Sequence, residues 1–307
     1  MLSQTIDQKL RQIERVFDIN PLLALQPDKK YIQKYYRANK LAYSLFHTKT
    51  GIIHMGISRT GSFNEDDLLE AARLVEKYIK SLGAKNVLEL ATGRGGTSVW
   101  LAKRYPKVTF HGLDLSPAQL AYAEHQAKKL PNYEPRQGDF HRLDTCADGS
   151  LDIVFIIEAL CYSKDRTQVL SEARRVLRKD GVFIILDAYS KKPRSEMTEQ
   201  ERLACKLTEL GMAVEEFTDY PSLLEIAKQH GFRVESSVEV SSFILPSLRR
   251  FERLARRYLK RPRTAKSISK LLPKELTYNA ISGLLMPDLI EQGLASYWIT
   301  VLRVEGN

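Results

Sequence analysis

The sequence lacks an uninterrupted apolar span of about twenty residues, which is the length that a membrane-crossing helix needs. Its first residues, MLSQTIDQKLRQIERVF, contain no small-residue cleavage site. Cysteine is scarce, and Cys146, Cys161 and Cys205 are too widely spaced for a metal pattern or a disulfide framework. We find no internal repeat. We therefore expect a soluble, cytoplasmic protein in a reducing compartment, with no metal site.

What the sequence does contain is a regular alternation of short apolar runs and helical patterns. Helical spacing occurs first, over residues 3–17 and 65–82. The alternation that follows predicts an α/β fold with a doubly wound, mainly parallel sheet. The predicted strands are residues 86–90, 108–114, 134–139, 152–158, 182–188, 232–241 and 295–303.

A glycine-rich turn, residues 92–96, follows the first predicted strand and precedes a helix that Thr97 or Ser98 could cap. Such a strand, turn and helix suit a nucleotide-like ligand. Glu89 at the strand end disfavours a pyrophosphate, and Asp114, at the end of the next strand, is placed to bind ribose hydroxyls. A ligand with a ribose, a positive charge and no phosphate fits best, and S-adenosylmethionine has these properties. Two alternatives stay open: the glycines form an ordinary strand-to-helix turn without a ligand, and Asp114 only caps the next helix.

At this point the chain resembles the class I S-adenosylmethionine-dependent methyltransferases, which have a Rossmann-like sheet. The resemblance covers residues 60–190 and rests on "ELATGRGG", "GLDLS", "QGDFHRL" and "ARRVLRKDGVFIILDAY". Ala91 stands where the family usually has its first glycine. The resemblance implies that the cofactor is bound by Glu89, Ala91, Gly93, Gly95, Asp114, Leu115, Asp139 and Phe140. Among these, Glu89 would lie near the methionine amino group, and Asp139 and Phe140 near the adenine.

We expect four segments in the chain. Residues 1–64 form a helical cover over the active site, and residues 65–242 form the cofactor-binding core. Residues 243–293 form a basic helical cap, and residues 294–307 return to the core as its last strand. That last strand, "ASYWITVLRV", resembles the antiparallel seventh strand of the methyltransferase fold.

The acceptor side is predicted from an aromatic N-terminal segment and the end of the fourth strand. The segment contains Tyr31, Tyr35, Tyr36, Tyr43, Phe46, His47 and His54. "IEALCYS" resembles the matching stretch of sterol, tocopherol-type and other terpenoid methyltransferases, which would place Glu158, Cys161 and Tyr162 in the pocket. The candidate catalytic residues are Glu158, His54 and Tyr36, any of which could serve as a base. We expect a small, lipophilic acceptor, with carbon methylation favoured over oxygen or nitrogen.

The basic cap carries the strongest charge signal. Residues 248–270 hold ten Lys or Arg and one acid, beside a net charge of +10 for the whole chain. A solvated helix packed on the core, an anionic substrate and an anionic membrane surface all stay open. RNA is the weakest alternative, because no aromatic-rich nucleic-acid signature appears. An RNA-modifying methyltransferase and a non-catalytic cofactor-binding protein remain the alternative functions, and a homo-oligomer stays open.

Overall fold

The structure is a computed structural model that describes residues 5–42 and 50–305. Seven strands form one sheet in the order β3-β2-β1-β4-β5-β7-β6. Strands β1 to β5 run parallel, and β7 runs antiparallel between β5 and β6. The strands are β1 Asn86–Leu90, β2 Thr109–Asp114, β3 Tyr133–Gln137, β4 Leu151–Ile157, β5 Leu177–Ser190, β6 Phe232–Glu239 and β7 Ala295–Val304. The predicted α/β fold with an antiparallel last strand is confirmed.

Helices cover both faces of this sheet and fill the segments around it. The α-helices are α1 Ile6–Glu14, α2 Asn20–Leu23, α3 Lys29–Ala38, α4 Lys40–Ala42, α5 Glu70–Leu82, α6 Gly96–Arg104, α7 Pro117–Ala127, α8 Arg166–Val176, α9 Glu199–Gly211, α10 Tyr220–Gln229, α11 Ser241–Leu259, α12 Pro262–Leu271, α13 Lys274–Thr277 and α14 Asn279–Glu291. Short 3₁₀ turns lie at Glu65–Leu69, Leu160–Tyr162 and Arg194–Glu196. Among the described residues, no helix is both long and apolar enough to cross a membrane.

Buried side chains alternate along the central strands and so form two cores, one on each face of the sheet. In β4, for example, Ile153 and Phe155 belong to one core, whereas Val154 and Ile156 belong to the other. This period of two follows from strand geometry, and burial on both faces is typical of parallel sheets. A third core joins helices α1, α9, α11 and α14 and reaches the sheet at Ala295 on β7.

A buried ion cluster fixes α1 against the cap in this third core. The Lys9 side chain is fully buried, and its Nζ lies 2.7 Å from Glu252 Oε1 on α11 and donates to the Leu284 carbonyl over 2.9 Å. It also pairs with Asp288 on α14. Because removing one partner of a buried pair typically costs about 3–5 kcal/mol, Lys9 is a strong link between the N-terminal helix and the cap.

Two local predictions were wrong in detail. Helix α6 begins at Gly96 with Gly95 as its N-cap, and neither Thr97 nor Ser98 caps it. Ser98 instead lies inside the helix, where its hydroxyl donates to Glu89. Strand β5 begins five residues earlier than predicted, since Leu177 already pairs with β4 before the chain turns at Asp180 with a φ of 63°.

Two residues at the carboxyl ends of β1 and β4 have left-handed backbones although neither is glycine. Ala91 has a φ of 54°, and Glu158 has a φ of 50°. This conformation costs a residue with a Cβ roughly 1–2 kcal/mol. Strain of this kind concentrates at functional sites, so both positions mark the strand ends that hold the candidate site.

We predict that Ala91→Gly raises the free energy of unfolding by up to about 1 kcal/mol, because glycine adopts a positive φ without a Cβ penalty. Ala121→Gly is the matched control, since Ala121 is an exposed residue within α7, where glycine should cost about 1 kcal/mol. Urea denaturation of both variants measures the two changes. A loss of stability in Ala91→Gly equal to that of the control would contradict the assignment of strain.

Candidate active site

A cavity of about 600 Å³ lies at the carboxyl ends of β1, β2 and β4. Its walls come from the glycine-rich turn, the N-terminal helix α3, the segment 51–55 and the cap helices α11 to α14. In a parallel sheet, loops that follow neighbouring strands meet at one edge, and ligands bind there. The predicted site residues are therefore expected to line this cavity.

Glu89, at the end of β1, lines the cavity and is only 5% exposed. Its Oε2 accepts hydrogen bonds of 2.6 Å from the Thr92 and Ser98 hydroxyls. Burial raises the pKa of Glu89 to about 7. No cationic side chain pairs with it in the described part of the chain. The negative charge of this acid is therefore not paired with a cationic side chain of the described residues, and a cationic group of a ligand could pair with it.

Asp114, at the end of β2, ties the glycine-rich turn to the following loop. Its Oδ2 accepts from the Gly93 N–H over 2.7 Å, and its Oδ1 accepts from the Ser116 N–H over 2.7 Å. Burial raises the pKa of this carboxyl group as well. Ser116 is the N-cap of α7, but its side chain makes no capping bond. Binding of ribose hydroxyls by Asp114 stays a prediction, and the geometry gives the residue a loop-holding role in addition.

The glycine-rich turn divides into an open part and a packed part. Gly93 has a φ of 56°, and the nearest atom to a Cβ added there would lie 3.8 Å away. A Cβ on Gly95 would lie 2.5 Å from the Tyr133 hydroxyl, and Gly95 does not line the cavity. Gly95 therefore packs closely against β3, and its contact with the cofactor stays a prediction. Ala91, Gly93 and Leu115 do line it.

Asp139 and Phe140, the predicted adenine contacts, also line the cavity. Asp139 is already bound within the protein, since it pairs with Lys29 and accepts from the His141 backbone over 3.0 Å. Burial alone would raise its pKa, but the hydrogen bonds from Lys29 and His141 lower the pKa of Asp139 to about 2. It is thus an ionised acid with protein partners, and its contact with adenine stays a prediction.

Glu158 follows directly after β4 and lies half-buried in the cavity wall. Its Oε1 accepts from the Met55 N–H over 2.8 Å and from the Tyr297 hydroxyl over 2.9 Å. Burial raises the pKa of Glu158 to about 7. A carboxyl group with this pKa is partly ionised at neutral pH and can accept a proton.

His54 also lines the cavity and immediately precedes Met55, whose N–H donates to Glu158. The ring is 8% exposed, and its Nδ1 lies 3.0 Å from the Met55 carbonyl. A carbonyl only accepts, so Nδ1 carries the proton and Nε2 is an acceptor. Nε2 has no hydrogen-bond partner among the described residues. Burial lowers the pKa of His54 to about 4, so the ring is neutral at pH 7.

Tyr36 is packed among other aromatic rings at the cavity wall. Its ring centroid lies 5.3 Å from that of Tyr35 and 6.0 Å from that of Tyr162, and its hydroxyl donates to the Tyr162 hydroxyl over 3.2 Å. Burial raises the pKa of Tyr36 well above its usual value. A phenol with this pKa stays protonated, which argues against Tyr36 as a base and for a positioning role.

Other predicted aromatic and pocket residues are placed differently. Tyr162 lines the cavity, whereas Cys161 lines a neighbouring cleft. Tyr43, Phe46 and His47 lie outside the described residues.

Sequence reasoning missed the residues that hold the acids in place. Thr92 and Ser98 bind Glu89, and Tyr297 binds Glu158 from β7, 139 positions further along the chain. Gln119 was also missed, and its side-chain nitrogen lies buried at the cavity wall without a partner in the described residues. Of these residues, only Ser98 was singled out from the sequence, and there it was interpreted as a possible helix cap.

The chain is similar to known proteins in sequence and in fold. Residues 88–185 match a family described as a methyltransferase domain. Demethylmenaquinone methyltransferase of Thermotoga maritima is 36% identical over 115 residues, which make up 38% of this chain and 48% of that enzyme. The chain thus spans about half the length of the curated relatives it matches.

Two solved structures share the fold over nearly the whole chain. The mycolic acid cyclopropane synthase CmaA1, complexed with SAH and CTAB, has a TM-score of 0.74 at 15% identity and covers 91% of this chain and 99% of its own. The [4+2]-cyclase SpnF has a TM-score of 0.73 at 16% identity, covering 92% and 98%. Residues 88–185 are thus similar to a methyltransferase domain, and the chain as a whole shares the fold of these two structures.

Proposed function

We propose that this protein transfers a methyl group from S-adenosylmethionine to a small, lipophilic metabolite, with a carbon acceptor favoured over oxygen or nitrogen. The observation that carries the proposal is a single cavity with two kinds of wall. Part of its lining consists of the strand-end acids Glu89 and Asp114, and another part consists of side chains of the cap. The apolar cap residues in the wall are Phe251, Leu254, Ala255, Ile268, Leu272, Leu276, Ala280 and Met286.

The acid-lined end fits the cofactor. Glu89 has no cationic partner among the described residues and could pair with an amino group, while the open side of Gly93 leaves room for close contact with the backbone. In the same wall, the buried Gln119 side-chain nitrogen is a donor that has no acceptor among the described residues. When bound, S-adenosylmethionine supplies an activated methyl group on a sulfonium centre. The enzyme's own contribution is to hold donor and acceptor near attack distance in a site that excludes water.

Glu158 and His54 have the properties needed at the acceptor. The Glu158 carboxylate could stabilise positive charge on a methylated alkene and then remove a proton from it. His54 is neutral and presents Nε2, which could accept a hydrogen bond that orients an acceptor hydroxyl or amine. The tyrosine faces around Tyr36 could stabilise a developing cation.

The apolar wall supports a lipophilic acceptor, because burying hydrocarbon gives the largest share of binding energy in such a pocket. Demethylmenaquinone and mycolic acid, the compounds in the names of two similar proteins, are both largely hydrocarbon. A second candidate function is cofactor binding without methyl transfer, which the likeness to a [4+2]-cyclase favours. Both candidates predict cofactor binding, and only the first predicts transfer.

We predict that label from radiolabelled S-adenosylmethionine enters the organic-solvent-extractable fraction of a cell extract, since the apolar cavity selects such acceptors. The measurement is scintillation counting of separated lipid, RNA and aqueous pools after incubation with the purified protein. Heat-inactivated protein is the control. Label in the RNA pool alone would show an RNA-modifying enzyme, and S-adenosylhomocysteine binding without label in any pool would support the non-catalytic candidate.

We predict that affinity for S-adenosylhomocysteine falls as the pH falls through about 7, which is the pKa of Glu89. The ionised carboxylate attracts the ligand's ammonium group and the protonated acid does not, so affinity should drop about tenfold from about pH 8 to about pH 6. Isothermal calorimetry at several pH values measures this. Glu89→Gln should bind more weakly and with a flatter pH dependence, whereas Glu124→Gln, at an exposed position on α7, should behave as wild type.

We predict that Glu158→Gln lowers turnover about 10²- to 10⁴-fold, because the amide cannot accept a proton. Affinity for S-adenosylhomocysteine should hardly change, since the amide oxygen can still accept from Met55 and Tyr297. His54→Ala should also lower turnover more than affinity. Glu124→Gln is again the control, because Glu124 is exposed on α7 and lies outside the cavity lining. Wild-type turnover in both site variants would exclude the proposed pair.

A further inference from the structure

Residues 253–274, which we call the basic segment, contain nine Lys or Arg and no Asp or Glu. One of them, Arg256, is neutralised by Glu252 at 2.7 Å. The other eight are exposed, and none of them forms an ion pair with a described residue: Arg253, Arg257, Lys260, Arg261, Arg263, Lys266, Lys270 and Lys274. The basic segment therefore presents a dense, uncompensated positive charge to its surroundings.

The spacing of these cations places them together on the two helices of the segment. Arg253, Arg257 and Arg261 are four residues apart along α11 and its end, and Arg263, Lys266 and Lys270 follow at three and four residues along α12. Side chains at these spacings share a helix face. By contrast, Arg249 and Arg256 on α11 bind acids of the protein itself.

A leucine pair projects from the end of α12 between two of the cations, Lys270 and Lys274. Leu271 is 84% exposed and Leu272 is 43% exposed. The other large hydrophobic side chains exposed among the described residues are Val234 and Val238, which lie on the sheet-edge strand β6. Leucines exposed among lysines and arginines are the pattern of proteins that insert apolar side chains into an anionic membrane surface.

Leu272 also lines the active-site cavity, together with Ile268 on α12 and Leu276 on α13. The apolar tip of the basic segment is therefore part of the outer wall of the cavity that is proposed to hold the acceptor. A surface that docked here would lie directly beside the apolar end of the cavity.

We propose that the basic segment docks on bilayers containing anionic phospholipid, with Leu271 inserted, and that the lipophilic acceptor enters the cavity from the bilayer past Leu272. The entry of the acceptor rests on the function proposed above, whereas docking requires only the charges and the exposed leucine. The cations match the phosphate-rich membrane surface, and the leucine matches the hydrocarbon below it.

An RNA surface accounts for less of this geometry. Phosphates would bind the cations, but they would give the exposed Leu271 no apolar environment. Single-stranded RNA is usually bound by exposed aromatic rings. Tyr258 is the one aromatic residue of the basic segment, and it is half-buried with its hydroxyl bonded to the Ala265 carbonyl over 2.9 Å.

The test is cosedimentation of the full chain with phosphatidylcholine vesicles that contain or lack phosphatidylglycerol. We expect binding at least about tenfold tighter to the anionic vesicles, falling at least about tenfold when Arg263, Lys266 and Lys270 are all changed to Glu. Leu271→Ser should weaken binding roughly tenfold, because one leucine side chain leaves the apolar phase. Neither set of changes should alter calorimetric affinity for S-adenosylhomocysteine.

Matched controls carry the same changes elsewhere. Lys107, Lys128 and Lys129 are exposed outside the basic segment, and their triple change to Glu alters the net charge equally. Val238→Ser removes another exposed apolar side chain. Equal losses in the control and test variants would overturn the proposal, and so would equal binding to neutral and anionic vesicles. Tighter binding to single-stranded RNA that Leu271→Ser leaves unchanged would replace the membrane with RNA. Because these assays need neither cofactor nor acceptor, a failure to methylate would not affect their result.

Discussion

The architecture of the site follows from three carboxyl groups at the ends of three parallel strands, none of which pairs with a cationic side chain among the described residues. Glu89 and Asp114 belong to β1 and β2, and Glu158 directly follows β4. These strands are neighbours in the sheet, and burial raises the pKa of each acid. Burying acids together is costly unless hydrogen bonds or a ligand compensate. Hydroxyl and backbone N–H donors supply the first part of that compensation. A cationic cofactor can supply the rest, so ligand binding and the stability of this edge are coupled.

The donors to these acids also bring distant parts of the chain together. Met55, in the segment before the sheet, and Tyr297, on the last strand, meet on Glu158. Lys9 likewise joins distant parts of the chain, since its ion pairs hold α1 against the cap helices. The cover and the cap are thereby attached to the same edge of the sheet from two sides. The result is a cavity with walls from several elements, at a place where an open α/β sheet would otherwise leave a crevice.

Sequence reasoning predicted the sheet and the acids because both depend on local patterns. An apolar run that leads to Glu89 or Asp114 predicts both a strand and the position where it ends, and the glycines predict the turn that follows. It did not predict that Gly95 serves packing against Tyr133, or that Tyr297 binds Glu158, because such contacts join positions far apart in the chain. The left-handed backbone of Ala91 was missed for another reason: a small residue in a glycine-rich turn gives no sign that its φ is positive.

The cap shows why a count of charges does not by itself identify a partner. Arg249 and Arg256 contribute to the basic composition as much as Arg257 or Lys266 does, yet the first two neutralise Glu252 inside the protein. Only the cations left over after such pairing are available to an outside surface. These cations lie beside the exposed Leu271, at the outer wall of the cavity. A partner surface must therefore match an apolar side chain as well as positive charge. The same helices thus line the cavity on one side and present a basic face with an exposed leucine on the other.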